Sequence, residues 1–272
     1  MTSDHQNNAA LADSVQALIH SWDYFKLDYP QVVEKVPEQY FVPNGLIELI
    51  FLQDLEVYEG AYGQALQKLP SAFVWGQTKH GNRVSIKGSG HWFEIKLYPW
   101  AFELLFGHPA ESLPATGTSF VALSKEFERL TEQIRLAKNA AEAIANFEDF
   151  ALQQLEYNRF IQPFLIYSFE QFLHKNGQVK ISSLCQKMNV SRQYFSHYFK
   201  EKVGLSPKYY SRILRLRHAV DTTYKAPDKS QTEIALDAGY YDQAHYINDF
   251  RAILHQSPQS FFQQKQFIYW DL

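Results

Sequence analysis

The chain has 272 residues, 46% of them hydrophobic, with a single cysteine and a formal net charge of −3. That length is ample for two domains with ordinary cores, and one cysteine excludes both an intrachain disulfide and a multi-cysteine zinc site. No secretory-type apolar stretch follows the polar N-terminus and no 18-residue apolar run occurs, so a soluble protein of a reducing cytoplasm, without a membrane partner, is expected. The net charge conceals an asymmetry: residues 1–159 hold 12 Lys and Arg against 20 Asp and Glu, a net of −8, whereas residues 160–272 hold 14 against 9, a net of +5.

From Tyr40 to about Tyr98 the chain reads as short strands, Leu46–Leu52, Phe73–Trp75, Asn82–Lys87 and Trp92–Leu97, separated by Gly, Pro, Asn and Ser. Val84 and Ile86, then Phe93, Ile95 and Leu97, alternate with polar neighbours, the period of a half-buried sheet. A small sheet or barrel is expected. Pro99 opens a helix through Leu105, and Gly107 closes it. From Ser119 to Leu155 the period becomes helical: Ser124 is a candidate N-cap for a helix carrying Phe127, Leu130 and Ile134, and a second run carries Ala141, Ile144, Phe147 and Leu152. These helices either cover the sheet or serve a junction with the other domain or another subunit.

Everything from Phe160 onward reads as helix. Phe160–His174 is amphipathic and stops at Asn176-Gly177, a C-cap signal. Ser182 or Ser183 caps the next helix, which buries Leu184, Cys185 and Met188, and Asn189 suits the left-handed turn that ends it. Ser191 caps a third helix with Phe195, Tyr198 and Phe199 inward. Its outer face holds Arg192, and Gln193, Ser196, His197 and Lys200 stand at i, i+3, i+4 and i+7, one polar stripe. Hydrogen-bonding side chains ending in a basic residue suit a DNA major groove, where base edges present donors and acceptors between flanking phosphates.

The same unit recurs downstream. Phe199-Lys-Glu-Lys-Val-Gly-Leu-Ser-Pro207 and Phe250-Arg-Ala-Ile-Leu-His-Gln-Ser-Pro258 lie 51 residues apart, and the offset pairs Ser191 with Asp242, Phe195 with Tyr246 and Lys200 with Arg251. Further upstream it slips to 50, pairing Leu184-Cys185 with Ile234-Ala235, so one extra residue has entered a turn. Two copies of a helical supersecondary unit, each a helix-turn-helix, explain this pattern. In the second copy Gly239 makes the turn, Asp242 caps, and Ala244, Asn248 and Arg251 share the outer face, flanked by Gln243 and His245. With Ala244 and Ile247 in place of Gln193 and Ser196, and Asp249 nearby, this is the less polar reader.

These residues carry a resemblance. Ser191–Lys200 with Gly204-Leu-Ser-Pro207, Arg215-Leu-Arg217-His-Ala219, Glu233-Ile-Ala235, Gly239-Tyr240, Asp242–Tyr246, Phe250-Arg251 and Ser257-Pro258 resemble, in order, the DNA-binding domain of the AraC/XylS family of bacterial transcription regulators. The resemblance implies an α+β chain. Residues 1–155 would form a small β-rich, cupin-like regulatory domain with helices, and residues 160–272 an all-α domain. Within the latter come a first helix-turn-helix at about 181–201, a linker helix at about 208–224 and a second helix-turn-helix at about 231–253. It implies double-stranded DNA and RNA polymerase as partners, activation of transcription, and control by a small effector or by homodimerisation. The alternative is an N-terminal protein-interaction module; an enzyme fused to a DNA-binding tail is the remote one. DNA contacts are expected from Arg192, Gln193, Ser196, His197 and Lys200, and from Gln243, Ala244, His245, Asn248 and Arg251. Arg215 and Arg217 on the linker are expected to pair within the protein. His255 replaces the family's usual glycine at a left-handed corner, so a rebuilt corner is expected.

The N-terminal part resembles, through Val42–Glu48, Val74-Trp-Gly76 and Lys96-Leu-Tyr-Pro99, a domain of undefined role that accompanies this module. Its aromatics Trp75, Trp92, Phe93 and Trp100 suit a core more than a ligand pocket. Catalytic, cofactor and metal sites are not expected. His80, His91 and His108 with Glu94 lack the cupin ligand spacing, Gly88-Ser-Gly90 is too short to cradle a phosphate, and no nucleophile elbow occurs. Cys185 matches Ala235 of the second copy, which marks a small packing residue.

Overall fold

The computed structural model describes residues 13–29, 39–123, 127–155 and 160–264. A short helix α1 (Asp13–Gln16) leads into an antiparallel sheet of β1 (Ile19–Tyr29), β2 (Gln39–Phe41), β3 (Ile47–Ala61), β4 (Gln67–Lys68), β5 (Ala72–Trp75), β6 (Asn82–Leu97) and β7 (Thr118–Ser119). The strand order is β1-β6-β3-β5-β7, with β2 added to the start of β6 and β4 to the end of β3. Helix α2 (Pro99–Phe106) follows β6 and ends at Gly107, as the sequence predicts, and a 3₁₀ turn (Ala110–Ser112) follows it.

Two strands expected around Gly88-Ser-Gly90 are one 16-residue strand, β6, and the expected Leu46–Leu52 strand starts at Ile47 and continues as the 15-residue β3. The glycines mark a bulge and not a turn. At this point β3 carries Asp54 in the left-handed region (φ 58), and the β3–β6 register shifts between Gln53 and Leu55. The extra residue reverses which β3 side chains face each side: Ile50 and Leu52 lie with Leu55 and Val57 in one core. Glycine is required because the strands touch here. A Cβ on Gly90 would stand 1.9 Å from the Gln53 carbonyl oxygen, and one on Gly88 2.6 Å from that of Asp54. Gly90→Ala is therefore expected to cost about 1–3 kcal/mol of stability, read from urea unfolding; an unchanged midpoint would refute this account of the bulge.

Strand β1 falls outside the sequence reading. Its apolar residues are split between faces, Ile19 and Trp22 on one and Phe25 and Leu27 on the other, with charged residues between them. The Phe25/Leu27/Tyr29 alternation was the available signal. Trp75, Trp92, Phe93 and Trp100 are all at least 95% buried, but on two sides of the sheet: Trp75 and Trp92 with Phe73, Phe93 and Trp100 with the helices. They are core and line no common pocket.

Helices α3 (Phe120–Leu123), α4 (Phe127–Arg135) and α5 (Ala140–Leu155) cover the second face. Phe120 stacks on Phe51 of β3 at 5.2 Å, and Phe106 meets Phe127 edge-on at 4.8 Å. Within this chain these helices cover the sheet. In α4 the expected stripe of Phe127, Leu130 and Ile134 is buried. In α5 the stripe is Ala143, Ile144, Phe147 and Ala151, while Ala141 and Leu152 face solvent. Ser124, the expected cap, lies outside the described residues.

The rest is helical: α6 (Pro163–His174), α7 (Ile181–Lys187), α8 (Arg192–Val203), α9 (Pro207–Lys225), α10 (Gln231–Asp237), α11 (Gln243–Leu254) and α12 (Pro258–Gln264). Phe169, Phe172, Phe195, Phe199 and the fully buried Tyr210 make the aromatic centre that ties α6, α8 and α9 together. This centre is continuous with the core under the sheet.

Candidate nucleic-acid interface

The two helix-turn-helix units are built by local rules. In the first, α7 buries Leu184 and Cys185, Asn189 takes the left-handed conformation (φ 54), and the Ser191 hydroxyl accepts from the Tyr194 N–H to start α8. Helix α7 itself begins at Ile181 after Lys180 without a side-chain cap, so Ser182 and Ser183 sit inside its first turn and cap nothing. In the second, Ser230 and Glu233 form a reciprocal capping box on α10, Gly239 (φ 76) turns the chain, and the Asp242 carboxylate accepts from the His245 N–H to start α11. Phe195 and Phe199 in one unit and Tyr246 and Phe250 in the other are 0% exposed. They fix which face of each helix looks outward.

On α8, Arg192, Gln193, His197 and Lys200 are exposed and Ser196 half-buried. On α11, Gln243, Ala244, His245, Asn248 and Arg251 are exposed, and Ile247 is half-buried. Gln243 accepts from the Thr232 hydroxyl at 3.2 Å, which steadies it against α10. Asp249 is not part of this surface: it is buried and takes two hydrogen bonds from Arg212 of α9, at 2.9 and 3.1 Å. Helix α9 is the expected connection between the units, 19 residues or roughly 28 Å at 1.5 Å per residue. Its Arg217 pairs with Asp221 at 2.9 Å, and Arg215 lies over the Tyr240 ring at 5.1 Å, both engaged within the protein.

The His255 corner is kept, not rebuilt. His255 itself adopts the left-handed C-cap of α11 (φ 58), with its N–H on the Arg251 carbonyl. Its ring stacks with those of His80 (4.9 Å) and Tyr62 (5.7 Å), which offsets part of the cost of a non-glycine residue there.

The comparisons with known proteins bear on this geometry. Residues 184–264 match a family model described as a helix-turn-helix domain, and residues 5–118 match one described as a domain of unknown function (DUF6597). The C-terminal part is an AraC-type helix-turn-helix domain. An uncharacterized HTH-type transcriptional regulator of Staphylococcus aureus is 30% identical over 90 residues, 33% of this chain and 12% of that protein. The HTH-type transcriptional regulator MtrA of Neisseria gonorrhoeae is 33% identical over 78 residues, 29% of this chain and 26% of MtrA. The chain thus matches only about an eighth to a quarter of the length of these curated relatives. Among solved structures, ToxT from Vibrio cholerae aligns over 90% of this chain and 98% of its own, with a TM-score of 0.48 and 7% identity. The C-terminal domain of AraT from Geobacillus stearothermophilus aligns over 42% of this chain and 94% of its own, with a TM-score of 0.36 and 19% identity.

Sequence reasoning missed what the N-terminal part does to the AraC-type domain. It grips both recognition helices. Lys200, the last residue of the polar stripe on α8, forms an ion pair with Glu111 of the 3₁₀ turn. Lys202, 8% exposed, reaches both carboxylate oxygens of Glu103 on α2, at 2.7 and 2.9 Å. Burial opposes the charge on this amine, but hydrogen bonds to Glu103 and Glu201 outweigh it and raise its pKa. The Tyr210 hydroxyl donates to the Gly45 carbonyl at 3.1 Å. At the other end, residues 78–81 seal the last turn of α11. The His80 Nδ1 lies 3.0 Å from the Ala252 carbonyl, which can only accept, so that nitrogen carries the proton; the Gly81 N–H donates to the Ile253 carbonyl at 2.9 Å.

A groove of about 610 Å³ on the N-terminal sheet is lined by Asp54, Glu56, Lys68, Leu69, Ser71 and Lys87, among others. Its lysines are engaged, Lys68 with Glu56 and Lys87 over the Tyr58 ring at 5.0 Å. No helix among the described residues is long and apolar enough to cross a membrane.

Proposed function

We propose that the chain is a sequence-specific DNA-binding regulator of transcription, with double-stranded DNA held by α8 and α11. The observation that carries this reading is the pair of capped recognition helices, rigidly joined through α9, each turning a hydrogen-bonding face to solvent. Gln193, Ser196 and His197 read base edges in the first groove; Arg192 and Lys200 meet phosphate. Ala244, His245 and Asn248 supply the second contact surface, with Gln243 and Arg251 beside it. The chemistry suits these roles, since amides and imidazoles offer donors and acceptors to bases and cations neutralise phosphates.

The division into a regulatory part up to residue 155 and a DNA-binding part from 160 belongs to the same proposal. In it the regulator acts from the cytoplasm as an activator, with RNA polymerase as partner. An effector bound by the N-terminal part, or its dimerisation, shifts the balance between gripped and released recognition helices. The grip on α8 and α11 supports this reading.

The test is binding to DNA selected from a random library by the full chain. Gln193→Ala and His197→Ala should each relax preference at particular base positions, at a cost on the order of 1–3 kcal/mol for a lost bidentate contact. Uniform weakening on every sequence would remove these residues from base reading.

A further inference from the structure

The slip in the internal repeat locates a DNA contact outside the expected set. Backbone hydrogen bonds align the two turns residue by residue: the Val190 N–H donates to the Cys185 carbonyl and the Tyr240 N–H to that of Ala235, both at an offset of 50. Past the turn, the Phe195 N–H donates to the Ser191 carbonyl and the Tyr246 N–H to that of Asp242, both at 51. One residue lies between these two registers without a counterpart. It is Tyr241.

The two adjacent tyrosines have opposite fates. Tyr240 takes the place of Val190 and is 3% exposed, packed on Tyr246 at 5.4 Å and on His245 at 5.2 Å. Tyr241 is 88% exposed, the most exposed of the chain's described large hydrophobic side chains. It directly precedes Asp242, the N-cap of the 12-residue α11, and is followed by the exposed Gln243, Ala244 and His245. In a helix-turn-helix these first residues of the recognition helix are the ones that approach base edges. Gln243 is steadied by Thr232, and Ala244 offers only a methyl group. The largest apolar surface at this end of the reader is therefore the Tyr241 ring.

We infer that Tyr241 is a specificity-determining residue of the second reader, whose ring packs against a thymine methyl group at the edge of the major groove contacted by α11. This rests on the DNA-binding reading above. It supplies apolar contact to the unit whose outward face is the poorer in hydrogen-bonding groups, and thymine is the base that presents a methyl group in that groove. The ring buries area on DNA that it leaves in water in the free protein.

The experiment uses the full chain, DNA selected from a random library, and fluorescence anisotropy. Tyr241→Ala should bind its best site about tenfold more weakly and lose preference for thymine at one position contacted by the second unit. Tyr241→Phe should bind within about twofold of the parent chain, because the ring and not the hydroxyl makes the contact. Deoxyuridine in place of that thymine should weaken the parent chain and leave Tyr241→Ala unaffected, the signature of a direct pair in a double-mutant cycle. Unfolding midpoints of both variants should match the parent, since the side chain is 88% exposed. Unchanged affinity and base preference in Tyr241→Ala overturns this inference alone, as does an equal loss in Tyr241→Phe, which assigns the contact to a hydroxyl on phosphate. A parent chain that enriches no sequence overturns the DNA-binding reading and this inference with it.

Discussion

Full-length protein carrying Glu103→Gln and Glu111→Gln is expected to bind its selected DNA more tightly than the parent chain. Lys200 ends the polar stripe of α8, and in this structure its partner is a carboxylate of the N-terminal part, in the role a DNA phosphate would otherwise take. Both are anions, so the two compete for one ammonium group. The Lys200–Glu111 pair is more than 40% exposed on each side and contributes little to closure by itself. Lys202 with Glu103 is different, with side chains only 10% and 24% exposed. Removing one partner of a fully buried pair costs about 3–5 kcal/mol. Glu201 remains 2.8 Å from the same amine and tempers the loss, so the closed arrangement should weaken by roughly 2–3 kcal/mol, up to about a hundredfold in the equilibrium. Anisotropy titrations at several salt concentrations measure the effect. Glu111→Gln alone should steepen the salt dependence by freeing Lys200 for phosphate. If the double variant binds DNA no more tightly than the parent, the grip does not restrain the recognition helices.

The second large effect is on pH. His255 is exposed at the surface and flanked by the rings of His80 from the 78–81 loop and Tyr62 after β3. Beside His80 in the chain, Lys79 accepts through its carbonyl from the Tyr209 hydroxyl, and Arg251 lies on the last turn of α11 with its carbonyl accepting the His255 N–H. Burial first, and the neighbouring His80 second, hold the His255 imidazole below its ordinary value of 6.5. The closed arrangement therefore prefers neutral His255. Above pH 6.5 its stability carries no proton dependence from this group. As pH falls below 6.5 the released state takes up the proton first, and closure weakens until His255 protonates in the closed state as well. The slope is at most about tenfold per pH unit for one proton. DNA affinity of the full chain should thus rise on acidification. The informative variant is His255→Gly, which suits the left-handed corner and leaves the outward faces of α8 and α11 intact. It should remove the part of the pH dependence owed to closure. A profile identical to the parent's would refute the assignment.

Much of the C-terminal half was legible because its signals are local. Ser191 and Asp242 each satisfy an N–H three residues on, Asn189 and Gly239 suit a left-handed turn, and the aromatic spacing selects one buried face per helix. The slip by one residue was visible too, but which tyrosine it expelled was not, since Tyr240 and Tyr241 are the same side chain in sequence. Misreadings came where tertiary contact overrides local pattern. Gly88-Ser-Gly90 resembles a turn until a second strand lies 1.9 Å from where a side chain would begin. Asp249 reads as surface on a polar helix until Arg212, 37 residues away, is packed against it. His255 looks out of place at a glycine corner until two rings stack beside it.

By itself the sequence determined the duplicated helix-turn-helix, its inward aromatics, the caps of α8 and α11 and the composition of the two outward faces. All of these follow from backbone hydrogen bonding and apolar periodicity within a few residues of each position. Only the tertiary structure decided that Lys200 meets Glu111, that Lys202 meets Glu103 and that His80 caps the far end of α11. These partners lie 89, 99 and 172 residues from the groups they touch. No local preference selects one glutamate among many. The choice is made by how the sheet's helices stack on α8 and how the 78–81 loop meets α11.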